Sequence, residues 1–125
     1  MTRHVLPLDA VHPDIQERVS NWHRRTVEEV QACVSANRVV VVGMKQNPHP
    51  KRARQALTAA GIRHESIEYG SYMPGAWRQR LALKMWTGWP TFPMCFVEGK
   101  LVGGADDLTK LIEAGELDHL RPNSN

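Results

Sequence analysis

Apolar residues in this chain recur with two different periods, and the changes of period divide it into elements. From Pro13, Ile15, Val19, Trp22, Val27, Val30 and Val34 follow one another mostly three to four apart, the spacing of one helix face. His12-Pro13-Asp14 supplies a start signal, with proline at the first helical position and an acid behind it. The pattern therefore predicts an amphipathic helix ending at Asn37, and it tolerates a break between Asn21 and Thr26. Val39 to Val42 is a continuous β-branched run, which predicts a strand buried on both faces. Ala53, Ala56, Leu57 and Ala60 restore the helical period up to a glycine stop at Gly61.

Further along, His64 to Glu68 alternates weakly and predicts a second strand, followed by a loop from Tyr69 to Gly75. Trp77, Leu81 and Met85 place a helix over Ala76 to Trp86, halted by Gly88-Trp89-Pro90. Met94–Val97 and Lys100–Val102, joined by Glu98-Gly99, predict a β-hairpin. Gly103-Gly104 then leads into a helix from about Asp106 to Ala114, with Asp106 or Ala105 near its start. Residues 1–12 read as an extended or partly ordered arm and residues 116–125 as a polar tail. The order α-β-α-β-α-β-β-α fits an α/β domain with a four-stranded mixed sheet flanked by helices and an extra helix at the N-terminus. A right-handed helical crossover can join its first two strands in parallel.

Composition narrows the class. A chain of 125 residues with 42% hydrophobic and 23% charged residues has the size and balance of one domain that builds its core without disulfides or a structural metal. The formal charge of +3 is small and the acids are interspersed, so nucleic acid is not an expected partner. The longest apolar run, at Val39–Val42, is too short to span a bilayer, and no apolar segment follows Arg3 and His4. The expectation is a soluble, unexported, cytoplasmic protein with no membrane partner. Cys33 and Cys95 are far apart and make no C-x-x-C, so spacing gives neither a redox pair nor a metal half-site, and both suit a reducing compartment.

Candidate chemistry gathers after the first strand. Lys45, Lys51, Arg52 and Arg54 occur there without an intervening acid. A strand-to-helix turn presents unpaired N–H groups and positive potential, which attract anions and lower the pKa of a thiol placed there. The turn here is Asn47-Pro48-His49-Pro50. Cations at the start of a helix oppose its dipole, a mismatch that an anionic ligand relieves.

Downstream, Trp89-Pro90-Thr91-Phe92-Pro93 is followed by Phe96-Val97-Glu98-Gly99-Lys100-Leu101-Val102-Gly103-Gly104-Ala105-Asp106-Asp107-Leu108. In order and spacing this segment resembles the signature of the glutaredoxin family, the monothiol branch in particular. Val41-Val42-Gly43-Met44-Lys45 is similar to the family's first strand and its following lysine. The resemblance covers roughly residues 26–115, leaving residues 1–25 as an N-terminal extension and 116–125 as the tail. It implies the thioredoxin-like (glutaredoxin) fold and a glutathione site. By that resemblance Lys45 takes the glycyl carboxylate, and Arg80, favoured over Arg78 by counting back from Trp89, takes a second carboxylate contact. Phe92 pairs through its backbone with the cysteinyl unit before a cis Pro93, and Gly104, Ala105 and Asp106 receive the γ-glutamyl end.

One position departs from that pattern. The family's nucleophilic cysteine aligns with Asn47, and no cysteine lies between Cys33 and Cys95. Disulfide exchange needs an attacking thiolate, and cluster binding needs cysteine ligation, so neither catalysis by the usual route nor an iron–sulfur cluster is expected. Asn47 before Pro48 also makes a good helix cap, Asp106 can cap the last helix, and His49 reads as exposed loop. Three functions stay open. The leading one is a module binding glutathione or a glutathione-like peptide in redox homeostasis, without its own thiol. The others are an oxidoreductase using a relocated thiol such as Cys95 or Cys33, and a protein-interaction domain whose N-terminal helix carries the contacts. Cys95, two residues past Pro93 in a strand, reads more simply as a core thiol.

Overall fold

The computed structural model describes residues 3–44, 48–69 and 76–121. In chain order the elements are α1 (Pro13–Asn21), α2 (Arg24–Ala36), β1 (Val39–Met44), α3 (Pro48–Ala59), β2 (Glu65–Tyr69), α4 (Ala76–Thr87), β3 (Met94–Val97), β4 (Lys100–Gly103) and α5 (Ala105–Glu113). Short 3-10 turns form at Leu8–Ala10 and Asp118–Leu120.

The sheet runs β2-β1-β3-β4. β1 pairs in parallel with β2 and antiparallel with β3, and β3 pairs antiparallel with β4. The valine run of β1 sits in the middle because it is apolar on both faces. Val39 and Val41 join Leu57 of α3, Leu108 of α5 and Cys95 in one buried layer. Val40 and Val42 join Val30 and Val34 of α2, Leu83 of α4 and Phe96 in the other. The β3–β4 turn is left-handed at both central residues, Glu98 (φ 51) and Gly99 (φ 83), the geometry that matches strand twist in a two-residue hairpin. Gly43 lets α3 close onto β1, since a Cβ there would lie 2.5 Å from Cγ of Pro50.

The break allowed between Asn21 and Thr26 is present, dividing the helix predicted from Pro13 to Asn37 into α1 and α2 at Trp22-His23, with His23 left-handed (φ 46). Two expectations are corrected. The apolar residues do not share one buried face: Val30 and Val34 are in the core, whereas Ile15, Val19 and Trp22 are exposed. The turn redirects the chain, so α1 does not continue the packing of α2 on the sheet. The polar tail is also shorter than its composition implies, because Leu117 is buried and joins the α3–α5 layer.

Candidate functional site

Three chain segments meet beyond one edge of the α3–α5 layer and enclose a groove of about 370 Å³. The first turn of α3 brings His49 and Arg52. Their spacing of three puts them on one helix face, and Arg52 Nη2 lies 3.1 Å from His49 Nδ1. The second segment is Trp89 to Pro93, entered from the C-terminus of α4. The Thr87 hydroxyl shapes that entry, donating to the Leu83 carbonyl at 2.8 Å and accepting from the Trp89 N–H at 3.1 Å. The Phe92–Pro93 peptide bond is cis. The third segment is the turn from β4 into α5, with Gly104, Ala105, Asp106 and Asp107.

The start of α5 is built for close approach. Asp107 accepts from the Gly104 N–H at 3.0 Å, so Asp107, not Asp106, makes the side-chain contact at this helix end. Gly103 permits it, being at φ 117 in a place where a Cβ would overlap the Asp107 carboxylate. The first-turn N–H groups of α5 have no intrahelical acceptors and face the groove region with their dipole. Asp106 is free of the cap and pairs instead with Arg52, Oδ1 to Nη2 at 3.2 Å. From α4, Lys84 Nζ comes within 5.8 Å of the centre of the Phe92 ring. Cationic and anionic groups thus lie on either side of the groove, which suits a ligand carrying both ammonium and carboxylate. The indole N–H of Trp89 is buried and has no acceptor among the described residues.

Of the residues expected to bind ligand, Phe92, Pro93, Gly104, Ala105 and Asp106 all line this groove. Lys45 and Asn47 lie outside the described residues. Arg80 is half-buried on α4 and is not part of the groove lining; one turn later on the same helix, Lys84 reaches Phe92. Arg78 is exposed and stacks 5.2 Å from the centre of the Trp77 ring. The cations at the start of α3 divide: Arg52 enters the groove, whereas Arg54 pairs with Glu68 of β2 at 3.2 Å. His49 was legible only as loop; it lines the groove because α3 begins at Pro48, and its spacing to Arg52 was the available signal.

Neither thiol sits where it could act as a nucleophile in the groove. Cys95 is completely buried, and desolvation, with a smaller contribution from the Asp107 charge, pushes its pKa up to about 12. Cys33 belongs to α2, on the other face of the sheet from α3 and α5. Its thiol is pushed up by burial and then by the charge of Glu65, against a hydrogen bond from Asn37 that lowers it. Among the described residues no group of three or more His, Cys, Asp or Glu could hold a metal ion, and no helix is long and apolar enough to cross a membrane.

Comparison with known proteins agrees with this architecture. Residues 39–102 match the family model described as Glutaredoxin. A glutaredoxin-like protein of Dictyostelium discoideum is 43% identical over 104 residues, spanning 83% of this chain and 84% of its own length. Glutaredoxin 4 of Escherichia coli (strain K12) is 33% identical over 101 residues, 76% of this chain and 84% of that one. The crystal structure of a buckwheat glutaredoxin–glutathione complex superimposes with a TM-score of 0.69 at 25% identity, covering 80% of this chain and 90% of that one. With the sheet order, the cis Phe92–Pro93 turn and these matches in agreement, the chain belongs to the glutaredoxin family.

Proposed function

We propose that this protein binds glutathione, or a peptide with a glutathione-like end, in the groove between α3, the Trp89–Pro93 segment and α5, and serves redox homeostasis without contributing a thiol of its own. The observation that carries the reading is the convergence of Phe92, Pro93, Gly104, Ala105 and Asp106 on one groove. Those residues belong to the glutaredoxin-like motif and come from two separate stretches of chain. The buried indole N–H of Trp89, which also lines the groove, has no acceptor among the described residues, a state that costs about 1–3 kcal/mol. The buckwheat relative was crystallised with glutathione.

Asn47 occupies the nucleophile position in sequence, and the two thiols of the chain, Cys33 and Cys95, are disfavoured as thiolates. Since the thiolate is the attacking species, the groove is left with recognition as its task. A relocated nucleophile at Cys95 has no access to a substrate disulfide.

Calorimetric titration with reduced and then oxidised glutathione tests the reading. Both should bind, because recognition rests on the backbone at Phe92 and on the charged ends. A melting temperature that millimolar glutathione leaves unmoved would remove the proposal.

A further inference from the structure

The end of the sheet away from the glutathione groove carries a second concavity. The groove lies past Pro93 at the start of β3, whereas Val39 pairs with Val97 at the other end of that strand. Beside Val39 a cleft of about 680 Å³ opens between the turn from α2 into β1, the approach to β2 and the Asp118–Leu120 turn. Its ionisable lining is Arg38, Arg63, His64, His119 and Arg121 against a single acid, Glu65. Its size is that of a small-molecule site, and the apolar lining from Val39 and Leu120 leaves room for a carbon skeleton beside the charges.

Two of the five bases are matched by acids outside the lining. His119 hydrogen-bonds Glu98, and Arg121 Nη2 lies 3.3 Å from Asp118 Oδ1. The Glu98 carboxyl is held below its ordinary pKa first by that hydrogen bond, with Arg38 and Lys100 adding smaller through-space contributions. The side chains of Arg38 and Arg63 make no hydrogen bond or ion pair with the described residues. Each stands two residues before the register pair Val40–Glu65, which places them side by side just ahead of the parallel strands β1 and β2. Guanidinium groups held together repel each other, and a dianion between them replaces that repulsion with attraction. His64 is half-buried, with Nδ1 3.1 Å from the Ile62 carbonyl. A carbonyl only accepts, so Nδ1 carries the proton and Nε2 is left for a ligand. Glu65 opposes an anion, being two residues from Arg63 and on the same side of the extended chain.

We propose that this cleft binds a small molecule bearing a phosphate monoester, whose dianionic group bridges Arg38 and Arg63. Guanidinium forks suit phosphate as well as carboxylate, but here they come from two strands, and a tetrahedral group has oxygens for both where a planar carboxylate serves one. A concave cleft on a chain of formal charge +3 fits a small ligand, not a nucleic-acid strand that needs a basic stripe. The site shares no residue with the glutathione groove, so the two readings stand or fall independently.

The test is calorimetric titration of the full chain with phenyl phosphate, and with phthalate as a planar dianion of similar size. Phenyl phosphate should bind saturably, less tightly as salt is added, and more tightly than phthalate. Arg38→Gln and Arg63→Gln, both at exposed positions, should each weaken it about tenfold or more, the scale of a hydrogen bond to a charged group, and leave glutathione titrations unchanged. Glu65→Gln should strengthen it. Absence of phenyl phosphate binding, equal binding of phthalate, or binding that survives both arginine substitutions overturns the proposal. So does binding of a phosphoserine peptide without binding of phenyl phosphate, which points to a protein partner.

Discussion

Arg52 of α3 and Asp106 of α5 meet at 3.2 Å across the mouth of the groove, tying together two helix N-termini far apart in sequence. Both side chains are largely exposed, so the pair adds little to stability, of order 0–1 kcal/mol. Its consequence is for binding. A ligand ammonium must share the Asp106 carboxylate with Arg52, while a ligand carboxylate can use the remaining guanidinium donors. Asp106→Ala should therefore weaken glutathione binding by about 1–3 kcal/mol, the scale of a hydrogen bond to a charged group. Lys110→Ala, on a later turn of α5, should leave binding unchanged. Calorimetry on the two variants checks the contrast, and equal effects would refute the assignment of Asp106 to the ligand.

The start of α5 rests on Asp107. Asp107→Ala removes the acceptor of the Gly104 N–H and should lower stability by about 0.5–2 kcal/mol, as for other helix-cap losses. Asp107→Asn, which keeps an acceptor oxygen, should lose less. Gly103→Ala should be destabilising, because it combines a strained φ of 117 with an overlap on the same carboxylate. Urea midpoints at neutral pH measure all three.

Cys95 makes stability fall in alkali. Its native pKa of about 12 stands above the ordinary 9.0. Below pH 9 the thiol is protonated in both states and the full contribution is present. Above it the unfolded chain binds fewer protons than the native one, so stability drops through the window from 9 toward 12 with a limiting slope of about 1.4 kcal/mol per pH unit. Cys95→Ala starts less stable but should lack this slope, so the gap between the two proteins narrows from pH 9 to 10.5. Alkylation at pH 8 should leave Cys95 unmodified until denaturant is added. Rapid labelling of the native protein would restore the relocated-nucleophile reading.

The unaltered protein should reduce a glutathione mixed disulfide no faster than buffer and should purify without a cluster absorption band. Asn47→Cys should then create a thiol whose alkylation rate titrates below about 8.5, the free-thiol value, because in sequence it directly precedes α3 in a stretch that carries Lys45 and Lys51 and no acid. An unshifted titration would mean that the start of α3 does not stabilise an anion.

Leu117, read from composition as part of a polar tail, is buried against the α3–α5 layer. Leu117→Ala should cost about 2–5 kcal/mol, the usual range for a core leucine, seen as a lowered urea midpoint. A change of only a few tenths would show that the segment after Gly115 is not part of the cooperative fold.

Local pattern determined much of this protein. The β-branched run Val39–Val42 could only be a strand covered on both faces, Glu98-Gly99 a tight hairpin turn, and the residues from Trp89 to Leu108 a recognisable site segment, because period, turn chemistry and motif order are properties of neighbours in the chain. The absence of a cysteine between Cys33 and Cys95 needs no structure at all. What lay beyond reach depended on partners distant in sequence. Arg52 and Arg54 look alike as residues two apart at the start of α3, yet one turns to Asp106 and the other to Glu68. Ile15, Val19 and Trp22 carry the same helical period as Val30 and Val34, but the left-handed turn at His23 sends only the second set into the core. Periodicity states that a face is apolar, and the direction of the chain at its turns decides what that face meets.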